Sequence, residues 1–225
     1  MLTRLPNWVE KGGFVLALGA GAVNAIAIMG FNHQGVSHLS GISTLLGIDA
    51  ANADASSAVM LVLVLLAFLV GAAISGFVIG GRSLSLSWRY AVALFGEAAL
   101  LVAAMFLLIG GSALGHLLAS AACGLQNALT STYSGAVVRT THVTGLFTDL
   151  GVSLGLRLRG EPWDRRRVWL SLALISGFIL GGVVGAWGFN LARYLALIFP
   201  AALVTILGFA ALSLASREPA PEFAD

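Results

Sequence analysis

Two histidines at matching places in a very apolar chain are the residues with chemistry to offer. His38 heads His38-Leu39-Ser40-Gly41-Ile42-Ser43-Thr44-Leu45-Leu46-Gly47, and His142 heads His142-Val143-Thr144-Gly145-Leu146-Phe147-Thr148-Asp149-Leu150-Gly151. In each copy a hydroxyl residue follows two places on, a glycine three, a threonine six and a second glycine nine. Serine or threonine at a helix start caps free amides, and glycine lets another group approach the backbone closely. The segments therefore read as two short helices, with Ser37 or Ser40 and Thr141 or Thr144 as their N-caps. A helix start also presents N–H groups and a positive dipole end, which favours an anion or the polar part of a solute. On this reading His38, Ser40, Thr44, His142, Thr144 and Thr148 line a shared site or pathway. The same residues have a structural alternative, because irregular backbone at membrane depth must satisfy its polar groups internally.

The elements that must hold these segments are membrane helices. Hydrophobic residues make up 58% of the 225 and charged residues only 10%, where a soluble domain has about a quarter charged. A span needs about 20 apolar residues, and six windows qualify, near 12–30, 57–80, 88–109, 113–133, 168–189 and 194–215. The break between the third and fourth falls near Gly110-Gly111-Ser112. Net charge is +2, too little for a nucleic-acid-binding face. Arg4 and Lys11 ahead of the first span give it some look of a signal peptide, but its counterpart later in the chain argues for retention.

That counterpart belongs to a repeat. Gly21, Asn24 and Ala25 match Gly124, Asn127 and Ala128 at an offset of 103, and the two histidines follow at 104. Ile74-Ser75-Gly76-Phe77 matches Ile175-Ser176-Gly177-Phe178 at 101, and Arg89-Tyr90 matches Arg193-Tyr194 at 104. One period over the whole length means two units, residues 1–110 and 111–215, with 216–225 as a cytoplasmic tail. Three spans per unit is an odd number, so the second unit crosses in the opposite sense. Placing the N-terminus inside puts eleven of the twelve basic residues in the cytoplasm and leaves only Arg193 outside. Eight full spans would give eight against four, and a ten-residue motif rises only about 15 Å of a core about 30 Å thick. The expected fold is all-α: six transmembrane helices in two inverted three-helix repeats, each with a short half-helix after its first span. Glycines four apart, such as Gly177, Gly181 and Gly185, suit close helix crossings and permit a homodimer without requiring one.

Asn24 and Asn127 are mid-span amides at repeat-equivalent places, either hydrogen-bonding between helices or contacting the solute. Glu97 is the acid well inside a span and Asp149 the acid inside a motif, so both are proton-coupling candidates, with Glu97 equally readable as a structural group. Arg139 could bind an anionic group or a lipid phosphate, but a positive-inside anchor explains it with fewer assumptions; the run Arg165-Arg166-Arg167 reads as such an anchor, and Cys123 as a packing residue. Two histidines without a duplicated carboxylate or thiol make a weak metal signal. No catalytic motif, cofactor or resident metal is expected, and no enzyme activity.

The pattern Asn24-Ala25 with His38-Leu39-Ser40-Gly41, and above all Gly124-Leu125-Gln126-Asn127-Ala128 with Val138-Arg139-Thr140-Thr141-His142-Val143-Thr144-Gly145, resembles the YoaK family of bacterial inner-membrane proteins over about residues 12–215. Family members tend to carry an acid where Asn24 stands, so the first motif departs from their pattern. The resemblance implies a multi-span membrane protein of no settled activity. The expected function is a small secondary transporter or permease for a polar, possibly anionic, small solute, working in the lipid bilayer by rocking of two halves about a midplane site. A passive channel, and a structural or sensory membrane protein, are the alternatives.

Overall fold

A computed structural model describes residues 7–30, 34–80, 88–134, 138–162 and 164–216, and every regular element among them is helical. The expected tail after Ser216, and His33, Arg4, Arg82 and Arg217, lie outside the described residues. In order the helices are α1 (Asn7–Gly30), α2 (Leu39–Ala51), α3 (Ala55–Ile79), α4 (Trp88–Ile109), α5 (Leu114–Ser134), α6 (Val143–Leu158), α7 (Arg165–Ala192) and α8 (Ile198–Ala215), with a 3₁₀ segment Arg193–Leu197 before the last. Four segments are long and apolar enough to cross a membrane: Trp8–Gly30, Ala55–Ile79, Trp88–Ile109, and the stretch Arg165–Ala215. Large apolar side chains face outward, among them Phe77 at 90% exposure and Trp187 at 68%, an arrangement consistent with a membrane protein and foreign to a water-facing surface.

α5 is less apolar than these four because it carries His116, Ser120, Gln126 and Thr130, yet all four side chains are buried against neighbouring helices. Its polarity is turned inward. The motif helices are longer than the ten residues expected, at 13 for α2 and 16 for α6, but rise only about 20 and 24 Å. Caps mark where α3 and α7 begin: the Asp54 carboxylate accepts from the Ser57 amide and Asp164 from the Arg167 amide, each satisfying an amide the first turn leaves free. The Ser57 amide, first, and the neighbouring serine hydroxyls hold the Asp54 pKa below the ordinary carboxylate value.

Packing exchanges the two first helices. α1 lies along α7 and α3 along α5; α4 packs on α5 and α8, α2 on α3, and α6 on α7. The packing units are thus α1 with α6, α7 and α8, and α5 with α2, α3 and α4, rather than residues 1–110 and 111–215. Glycine sets both close crossings. A Cβ on Gly21 would strike the Phe178 carbonyl and one on Gly181 the Leu18 carbonyl. At the other crossing a Cβ on Gly124 would strike the Phe68 carbonyl and one on Gly71 the Ala121 carbonyl. Only residues without side chains let backbones meet this closely.

These contacts correct the repeat register. Leu18 and Ala121 stand 103 apart, as expected, but their partners Gly71 and Gly181, like Phe68 and Phe178, stand 110 apart. The capping pair Asp54 and Asp164 also stands 110 apart. The offset of 101 through Ile74-Ser75-Gly76-Phe77 aligned a short local likeness instead of the packing positions. The extra six residues past the histidines are accounted for by three in α6 over α2 and three more in the connection to α7. Two glycine–carbonyl approaches thus recur in both crossings, and the α1–α7 crossing adds Gly177 against the Phe14 carbonyl and Gly185 against the Ala22 carbonyl.

Candidate functional site

Each motif helix starts alongside the middle of a long helix, and side chains from that depth hold its entry loop. The Asn24 carboxamide oxygen accepts from the backbone amides of Val36 and Ser37 and from the Ser37 hydroxyl, at 3.1–3.3 Å. Asn24 lies six residues before the end of α1, about 9 Å back down the helix. Ser120 of α5 donates to the Val36 and Val64 carbonyls, and the His116 ring lies 3.4 Å from the Gln34 carbonyl. In the second copy Gln126 donates to the Thr140 hydroxyl at 2.9 Å and to the Leu16 carbonyl at 3.0 Å, while the Val138 amide donates to the Ser134 hydroxyl. Gln126 is eight residues before the end of α5, about 12 Å back. Unpaired backbone groups in a bundle interior cost about 1–3 kcal/mol each, so these polar residues are the condition for a chain that turns back inside the bundle.

The N-caps differ from expectation. His38 and His142 occupy the cap positions with near-identical backbone angles, φ −93 and −91°, and neither side chain caps an amide. Ser37 is committed to Asn24, and Ser40 and Thr144 already sit inside the first turn, where their carbonyls accept from the Thr44 and Thr148 hydroxyls. The three-residue spacing from histidine to glycine has a steric cause. Each imidazole folds back against the glycine, Gly41 or Gly145, where a Cβ would collide with the ring. The first-turn amides of both helices are left without a side-chain cap.

Both helix starts line one cavity of about 410 Å³. Its lining is drawn from the first helix start, including Ser37, His38 and Ser40, from the second, including Arg139, Thr141, His142 and Thr144, and from the middles of α3 and α5, including Phe68 and Asn127. Residues 12–210, nearly the whole of this fold, match the profile of the DUF1275 family, proteins of unknown function. The chain belongs to that family. No curated protein and no solved structure matches it.

Of the residues singled out in this DUF1275 chain, the fold brings His38, Ser40, Asn127, His142 and Thr144 together at the cavity. It places the others elsewhere. Thr44 and Thr148 are exposed and bond back into their own helices. Asn24 is buried, and its carboxamide oxygen is taken up by the first loop. Asp149 forms an exposed ion pair with Arg167 at 3.0 Å, tying α6 to α7. Glu97 is 2% exposed in α4, with Oε2 lacking a hydrogen-bond partner among the described residues, and does not line the cavity. Among the described residues no group of three or more metal-ligating side chains gathers. Ser131 is a lining residue not singled out from the sequence, while Thr141, an N-cap candidate, and Arg139, an anchor candidate, join the lining as well. Arg139 stands 104 residues after Gly35, so comparing the copies three residues upstream of the histidines exposes a charge present in only one of them.

Proposed function

We propose that this chain is a six-span inner-membrane protein built of two inverted repeats, and that the cavity binds a polar small solute on its way across, as in a small secondary transporter or permease. The observation that carries this reading is that two helix starts, repeat-equivalent in sequence, line one polar cavity halfway along α3 and α5. Transporters built of inverted repeats place their solute sites where discontinuous helices from the two halves meet. Six crossings follow if α7 and α8 cross separately and the inward-polar α5 crosses as well. The eleven-to-one arginine and lysine bias supports cytoplasmic termini, and the likeness of the second motif to the YoaK family fits the same assignment. Because α1 and α5 are exchanged, the bodies that rock are the two packing units, which meet mainly where α4 packs on α8.

Two measurements test this. Single cysteines at Asn52 and Glu161, which follow α2 and α6 and are exposed, should label from opposite faces of the membrane; labelling from one face rejects the inverted arrangement. In proteoliposomes the protein should give saturable, gradient-driven flux of a small polar solute that His38→Ala and His142→Ala each reduce at least tenfold. Fast flux without saturation points to a channel instead, and unchanged flux in both variants removes the cavity from the pathway.

A further inference from the structure

The cavity is chemically one-sided. Arg139 is the sole charged residue in its lining, with no aspartate or glutamate beside it, and Arg139 makes no ion pair among the described residues. The uncapped first turns of α2 and α6 add the positive ends of two helix dipoles. Arg139 is exposed, so a soluble anion can reach its guanidinium. One group asks for the opposite partner: the Asn127 carboxamide oxygen is buried and has no hydrogen-bond donor, although its repeat equivalent Asn24 accepts three. Serine and threonine hydroxyls from Ser37, Ser40, Ser131, Thr141 and Thr144 complete the lining and serve either sign.

Resting on the reading of this cavity as the solute site, we propose that its ligand is a small oxyanion carrying a hydrogen-bond donor of its own. The negative end meets Arg139 and the amides of the two helix starts, and the donor meets the Asn127 oxygen. Hydroxy- and amino-carboxylates, and protonated inorganic oxyanions, share this chemistry. A guanidinium suits them because its fork of N–H groups matches two oxygens at once. The full charge in the anion preference then comes from the second half, since Gly35 occupies the equivalent place in the first.

A matched set of three-carbon probes separates the two requirements: lactate has charge and donor, propanoate the charge, 1,2-propanediol the donors. The thermal unfolding midpoint of the full chain is measured with each, at equal ionic strength, in detergent micelles without phospholipid, where a lipid headgroup cannot be the source of the effect. Lactate should raise the midpoint most, propanoate less and propanediol not at all. Arg139→Gln should weaken lactate at least tenfold without moving the unliganded midpoint, and Asn127→Leu should erase the difference between lactate and propanoate. Equal shifts from lactate and propanediol, no shift from any probe, or a full lactate shift in Arg139→Gln each overturn the proposal. Flux separates it from the transport reading. Lactate stabilisation without gradient-driven uptake keeps the oxyanion site and rejects transport, whereas saturable propanediol uptake that ignores the anions does the reverse.

Discussion

The two entry loops, 34–38 and 138–142, lead into equivalent helices but are held in different ways. In the first, Asn24 of α1 takes the backbone directly, and Gly35 fits because a side chain there would strike the Asn24 oxygen. In the second, the neighbouring Gln126 does the holding through the Thr140 hydroxyl, and the residue equivalent to Asn24, Asn127, is released to face the cavity with its oxygen unpaired. Where Gly35 leaves space in one loop, Arg139 brings a charge in the other. The helix crossings, by contrast, share two glycine–carbonyl approaches, Gly21 and Gly181 in one and Gly124 and Gly71 in the other. The packing recurs where the loops differ. A crossing has one steric solution, whereas an amide network can be redrawn whenever another side chain reaches the same backbone groups.

The contrast predicts equal responses at the crossings and unequal ones at the loops. Gly21→Leu and Gly124→Leu should each push a side chain into a backbone carbonyl and cost about 3 kcal/mol or more, seen as loss of folded protein in detergent thermal unfolding. If one is tolerated and the other is not, the crossings are not equivalent. Asn24→Leu should cost about 1–3 kcal/mol, because the Val36 and Ser37 amides lose their acceptor. Asn127→Leu should change stability by less than about 0.5 kcal/mol, because its oxygen has no donor to lose; equal losses in the two variants would erase the distinction between the loops. The smallest effect belongs to Asp149, whose counterpart in the first half is Leu45. Its ion pair with Arg167 is 42–50% exposed, so Asp149→Asn should cost less than about 1 kcal/mol. A large loss of flux in that variant would return Asp149 to the pathway.

Much of this was legible without coordinates. The helix positions follow from apolar run lengths, and the turn at Gly110-Gly111 from two glycines, one at φ +76°. The paired motifs were recognisable because histidine, hydroxyl and glycine recur at fixed spacing, which reflects an imidazole folded on a glycine. The register of α3 against α7 was not, because Ile-Ser-Gly-Phe recurs at 101 while the packing glycines recur at 110. In helices this apolar, many alignments score alike, and only the carbonyl that each glycine meets distinguishes them. Thr44 and Thr148 looked like lining residues because they repeat. A hydroxyl in a helix can also bond its own preceding turn, and spacing alone does not distinguish the two.

By itself the sequence determined an all-helical, membrane-compatible chain with two matching polar segments, since composition and periodicity are local properties that survive without a fold. Tertiary structure decided that the first helices are exchanged, that Asn24 holds backbone while Asn127 faces a cavity, and that Arg139 joins the lining. Those outcomes depend on which groups meet across 12 residues of chain, as Asn24 with Val36, up to 163, as Leu18 with Gly181, and such meetings are settled by packing and by the need to pair every buried polar group.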